Sequence, residues 1–153
     1  MIFLIKLVVN IIKYIMLISI KCDYALRALM ELGVRKNEIP IQKKAIADSR
    51  GIPGPFLDHI LSDLRRSGLI KSFRGPKGGH LLSKNPEEIT LKEVILSIEG
   101  GISSLESDEN CCHKWVWQDL DELIVTKLNS IFLSDLIEKE TVEQQTSVIS
   151  YSI

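Results

Sequence analysis

The stretch that decides the fold is Ile52–Leu82, IPGPFLDHILSDLRRSGLIKSFRGPKGGHLL. Gly54-Pro55 restart the chain as a helix, because proline at a first helical position has no donor to lose and its φ is already helical. Phe56, Leu57, Ile60, Leu61 and Leu64 follow at i, i+1, i+4, i+5 and i+8, the spacing of one continuous buried face. Pro55, Asp58, His59, Ser62, Arg65 and Arg66 lie opposite, a polar stripe ending in positive charge, and Gly68 closes the helix. Two short apolar runs, Leu69–Phe73 and His80–Leu82, then flank Arg74-Gly75-Pro76-Lys77-Gly78-Gly79. That pattern predicts a hairpin around a long Gly/Pro-rich loop.

Upstream, Tyr24, Ala25, Ala28, Leu29 and Leu32 make a helical stripe, with Asp23, Arg27 and Glu31 on the other side and Gly33 as a stop signal. Ile41–Ser49 reads as a short second helix with Lys43, Lys44 and Asp48 outward, ended by a turn at Arg50-Gly51. Downstream, Asn85-Pro86 breaks the chain, and Thr90 with Glu93 forms a T-x-x-E capping box opening a helix through Ile98. Gly100-Gly101 ends that helix. An acidic loop to Asn110 leads into a helix from about His113 to Asn129, with Trp117, Leu120, Leu123/Ile124, Leu128 and Ile131 at three-and-four spacing. From Glu138 periodicity fades, which predicts a loose tail.

The 153 residues carry a net charge of −1, which conceals a strong asymmetry. Residues 35–84 hold eleven Lys/Arg against four Asp/Glu, and residues 85–153 hold four against fourteen. A +7 segment points to a polyanionic partner and disfavours the uniform mixed-charge surface of a small soluble enzyme. Helix, short helix, turn, amphipathic helix and basic hairpin, in this order, predict a winged helix-turn-helix, mainly α with a small β-hairpin wing. The major groove of double-stranded DNA admits one α-helix. Asp58, His59 and Ser62 are candidates for base edges, Pro55 lies on the same face, and Lys43, Lys44, Arg65, Arg66, Lys71, Arg74 and Lys77 are candidates for phosphates. Arg74 has the reach for a narrow minor groove. The second reading of the same pattern is a winged-helix protein-interaction module without DNA binding. No G-x-x-x-x-G-K-[ST], H-E-x-x-H or G-x-S-x-G occurs, so neither an enzyme nor a small-molecule substrate is expected.

These residues resemble the Rrf-two family of bacterial winged-helix regulators, whose pattern runs YLEQ, LR-x-x-GLV, RG-x-x-GGY-x-L. The matches are Phe56-Leu57-Asp58-His59, Leu64-Arg65, Gly68-Leu69-Ile70, Arg74-Gly75 and Gly78-Gly79-His80. Tyr24–Leu29, YALRAL, resembles the family's opening, and Ile89–Gly100 resembles its helix ending in EG. The resemblance spans roughly residues 16–137. It implies a homodimer on an imperfect palindrome near promoters, usually a repressor, with the helix containing Trp117 and Leu120 as the dimerisation helix. It also implies a division into an extension (1–15), a winged helix-turn-helix domain (16–100), a sensor-like loop and dimerisation helix (101–137), and the tail (138–153).

Cluster-binding members of the family place three cysteines in the loop before the dimerisation helix. Cys111 matches the last of these, the earlier two are not cysteine, Cys112 is extra, and His113 lies one place from a histidine ligand of some relatives. Ordinary thiols, a thiol redox sensor, and a metal or iron–sulfur cluster held by Cys111, Cys112 and His113 all stay open, with no cofactor the first expectation. Cys22 reads as core. Three cysteines are too few for a disulfide framework, which points to a reducing, cytoplasmic, nucleoid-associated setting, or to the plastid stroma for an organelle-encoded chain. Seven of the first twenty residues are Ile, but Lys6, Asn10 and Lys13 interrupt the run. That favours an extension or a packed segment over membrane attachment.

Overall fold

The computed structural model describes residues 19–35, 39–101 and 112–150. The expectations for residues 1–15, for the acidic loop and for Cys111 lie outside them. Helix α1, Ile20–Val34, starts three residues earlier than its apolar stripe suggests, because Ser19 caps it by accepting from the Cys22 amide at 3.2 Å. It also runs through Gly33 instead of stopping there. Gly33 is buried against α6 (Leu133–Ser150), where an added Cβ would lie 2.5 Å from Ile137 Cδ1. The glycine is a packing gap for a crossing helix.

Helices α2 (Lys43–Arg50) and α3 (Gly54–Arg66) form the helix-turn-helix. Gly51 ends α2 in the left-handed conformation at φ +62°, and Pro53 caps α3, which puts Gly54 first and Pro55 second in the helix. Leu57, Ile60, Leu61 and Leu64 are buried as their spacing predicts, against Leu29 and Leu32 of α1 and Ile46 of α2. Each such side chain contributes about 1.5–3 kcal/mol of apolar burial. Phe56 departs from that face: it is 49% exposed and meets Tyr24 edge-on at 6.1 Å.

Strands β1 (Ile70–Phe73) and β2 (Gly79–Leu82) pair antiparallel, with Ile70 opposite Leu82 and Phe73 opposite Gly79. Between them and α4 (Leu91–Glu99) lies a 3₁₀ turn, Pro86–Glu88. Asn85 and Glu88 make a reciprocal capping box there. At α4 only half of the expected box forms: Thr90 Oγ1 accepts from the Glu93 amide at 3.2 Å, while the Glu93 carboxylate pairs with Lys84 at 2.6 Å.

Helix α5, Lys114–Asn129, has no buried residue. One side, with Ile124, Val125 and Leu128, packs on Cys22 and Ile95. Trp115 and Leu123 are 63% and 65% exposed, so they are not monomer core. The loose tail expected from Glu138 is replaced by α6, which continues to Ser150. Two features hold it. Phe132 donates to Asp135 at its start, and residues 89–91 pair with 131–133 through the Leu91–Ile131 and Leu133–Ile89 bonds at 2.8 and 2.9 Å. The tail's weak periodicity reflects one narrow contact stripe, Leu133, Ile137 and Glu140, on an otherwise solvated helix. Among the described residues no helix is long and apolar enough to cross a membrane.

Candidate nucleic-acid interface

The polar stripe of α3 faces solvent as its sequence predicts. Pro55, Asp58, His59, Arg65 and Arg66 are exposed, and Ser62 is half-buried at the edge of the wing. The wing is held beside that stripe by backbone. Ile41, just before α2, exchanges two hydrogen bonds with His80 of β2, both 2.9 Å. Gln42 adds a bond from Nε2 to the Pro76 carbonyl at 3.3 Å. Two glycines make the approach fit. A Cβ on Gly79 would lie 2.5 Å from the Ile41 carbonyl oxygen, and one on Gly78 would overlap the Phe73 carbonyl. Entry to the helix-turn-helix and the wing are therefore one sheet-like unit, and the Gly-Gly pair is a steric requirement of it.

The electrostatics divide the candidate cations into two groups. Lys71, Arg74 and Lys77 on the wing and Arg65 on α3 have no carboxylate within ion-pair distance among the described residues, and all are exposed. The others are paired. Lys43 Nζ meets Asp58 Oδ1 at 2.8 Å, Lys44 meets Asp48 at 2.6 Å, and Arg66 meets Asp63 at 2.8 Å. Asp63 also takes Lys21 at 2.6 Å, and the Lys21 hydrogen bond holds its carboxyl below the ordinary range against the opposing effect of burial. Asp58, a base-reading candidate, is thus tied to a phosphate-gripping candidate in the same free protein.

Sequence reasoning passed over two residues of this face, Phe56 and Ser72, and read His80 as packing or touching phosphate. Phe56, at the exposed N-terminal end of α3, offers an aromatic edge to a thymine methyl, and its position next to Leu57 at the margin of the apolar stripe is the signal. Ser72 and His80 face each other across the wing, Oγ to Nδ1 at 3.0 Å. Nothing short of strand register would have paired them.

Of the metal candidates, Cys112 and His113 lie among the described residues. Cys112 is exposed in the turn before α5, and His113 is the residue preceding that helix, its ring edge-on to Trp117 at 6.4 Å. No group of three or more His, Cys, Asp or Glu that could hold a metal occurs among the described residues. The donor chemistry points the same way. Of three cysteines, Cys22 is fully buried in the core, its thiol pushed up to about 12 by burial and then by Glu99 and Asp23. That leaves two adjacent thiols, whereas iron–sulfur clusters take four ligands, mostly thiolates. Cys112 and His113, the candidates among the described residues, are too few by themselves for a cluster site.

Comparison with known proteins agrees with this geometry. Residues 18–139 match the family described as Rrf2: Iron-dependent Transcriptional regulator. The chain is 34% identical over 132 residues to the HTH-type transcriptional regulator CymR of Bacillus subtilis, covering 85% of this chain and 96% of that one. It is 31% identical over 135 residues to IscR of Pectobacterium atrosepticum, covering 83% and 82%. Among solved structures, CymR, the global cysteine regulator of B. subtilis, superposes with a TM-score of 0.73 at 33% identity, over 80% of this chain and 96% of that one. T. potens IscR superposes with a TM-score of 0.69 at 33% identity, over 80% and 87%. Matched along most of its length in sequence and in fold, the chain belongs to the Rrf2 family of winged helix-turn-helix transcriptional regulators.

Proposed function

We infer that this regulator binds double-stranded DNA as a homodimer and represses transcription by occupying an imperfect palindrome. One observation carries the reading: the polar face of α3 and the unpaired cations of the wing are fastened side by side through the Ile41–His80 bonds. Asp58, His59, Ser62 and Phe56 would meet base edges in the major groove. Arg65, Lys71, Arg74 and Lys77 would neutralise phosphates. The family relationship supports this over a protein-docking role, which would leave the cationic wing without a use. The dimer reading rests on α5, whose outer side presents Trp115, Leu120 and Leu123 to solvent. A palindrome needs two recognition helices about one duplex turn apart. No cofactor enters this reading.

The test is an Arg74→Ala/Lys77→Ala double variant, titrated with genomic fragments captured by the wild-type protein. Affinity at moderate salt should fall, and the slope of log affinity against log salt should flatten by roughly two. Unchanged affinity in the double variant would remove the wing from the interface.

A further inference from the structure

We propose that the cleft between α3 and the wing is a proton-linked phosphate site, where a DNA backbone phosphate seats between Lys43 and Arg65 and His80 takes up a proton from solvent, so that acidification tightens DNA binding. The proposal deepens the DNA-binding reading above and rests on it.

The cleft has a volume of about 150 Å³, and its polar lining is Lys43, Asp58, Ser62, Arg65, Ser72 and His80. Three elements contribute: α2 supplies one cation, α3 the other, and the wing the imidazole. Two cations, two hydroxyls and a ring nitrogen outnumber the single carboxylate, Asp58, around one small open space, and suit the acceptor-rich, singly charged phosphodiester. The position of His80 is set by its main chain, which exchanges both backbone bonds with Ile41. Its Nδ1 shares a bond with Ser72 Oγ at 3.0 Å. Nε2 has no protein hydrogen-bond partner among the described residues.

His80 is the one group lining this cleft whose charge changes near neutral pH. The charged groups facing it among the described residues come from two helices. Arg65 and Asp58 come from α3, Lys43 from α2, and β1 contributes only the neutral Ser72. Asp58 is committed to Lys43 at 2.8 Å. In the free protein, burial first, then Arg65 and Lys43, hold the imidazole below its usual range and therefore uncharged. A phosphate acts on the second and third of these causes by neutralising the two cations that repel the proton, and against the burial it offers Nε2–H an anionic acceptor. The bound protein thus holds the proton more tightly than the free one. By linkage, affinity rises as pH falls through the window between the two values and levels off on either side, by at most about tenfold per pH unit for each proton taken up.

The experiment uses the full chain and a short mixed-sequence DNA duplex, since phosphate contact is sequence-independent. Affinity is followed by fluorescence anisotropy at constant low ionic strength from about pH 8 to about pH 5.5, a range centred on histidine titration. Wild type should bind roughly fivefold or more tighter at the acid end. His80→Gln, which keeps the backbone latch, should bind with little pH dependence. Calorimetry of the wild type in two buffers of different ionisation heat should show net proton uptake, and the His80 ring should titrate higher in the complex by NMR. A slope that survives His80→Gln, a flat wild-type profile, or binding without proton uptake overturns the proposal and leaves DNA binding standing. Wild type that binds no duplex at any pH overturns both.

Discussion

Asp58 sits where two demands meet. As a carboxylate on the exposed face of α3 it can accept from cytosine N4, yet its oxygen is 2.8 Å from Lys43 Nζ, and both side chains are about half exposed. An ion pair this open contributes little stability, of order 0–1 kcal/mol, so its effect lies in aiming the two groups. Asp58→Ala should remove the carboxylate that competes with the phosphate for Lys43. Affinity for mixed-sequence DNA should rise. Discrimination at the contacted base pair should fall by about 1–3 kcal/mol, measured by comparing the best site with its single-base variants. Gly79 is constrained differently. Gly79→Ala would drive a methyl into the Ile41 carbonyl at 2.5 Å and should unseat the wing, costing about 1–3 kcal/mol in chemical denaturation.

Elements are joined here by carboxylates as much as by core. Glu31 of α1 is 7% exposed and accepts from Arg50 of α2 at 2.9 Å, while Arg50 also reaches Glu140 of α6 at 2.5 Å. Arg35 shares Glu31 at 3.1 Å. One guanidinium therefore clasps three helices, including the one that follows the α5–α6 junction. Arg50→Met should lower unfolding free energy by about 2–3 kcal/mol, since Glu31 keeps only the exposed Arg35. Glu140→Gln should cost less, because it leaves a neutral hydrogen-bonding group behind.

The Lys21–Asp63 pair links α1 to α3 and gives a pH signature. The Asp63 carboxyl is held below its ordinary range, so its contribution is complete above the unfolded value near pH ~3.9 and is lost as pH falls through the folded one. The difference in unfolding free energy from urea titrations between wild type and Lys21→Met should be constant above about pH 5, amount to less than about 1 kcal/mol, and shrink in more acidic solution.

For the whole molecule, the charge split acquires a direction. The +7 segment contains α2, α3 and the wing, and the −10 segment contains α4, α5 and α6. An acidic C-terminal part repels a duplex that approaches from the wrong side. In the proposed homodimer, the apolar outer side of α5 is the surface that a second copy covers. Leu123→Glu, at a position 65% exposed in the single chain, should leave the fold intact and shift the protein to monomer in analytical ultracentrifugation. DNA affinity should then drop by roughly tenfold or more, because two linked half-sites become independent.

Periodicity and turn chemistry by themselves determined the helix-turn-helix, the hairpin and the polar face of α3. Those features depend on spacing within one element, and the buried Leu57, Ile60 and Leu64 follow from it directly. The basic segment and its polyanionic partner were likewise legible, since charge is a property of residues. Tertiary contact decided what local pattern could not. Glu31, spaced with the solvent-facing charges of α1, is buried because Arg50 arrives from another helix. Gly33 continues its helix because α6 crosses there, and the tail is helical because Ile137 and Glu140 find partners on α1 and α2. The same holds at the DNA face: the spacing placed Lys43, Arg65 and His80 on three separate elements, and only the Ile41–His80 pairing folds those elements around one cleft. Local sequence sets which face of an element is polar, but the partner of a polar group is chosen by whichever distant element packs against it.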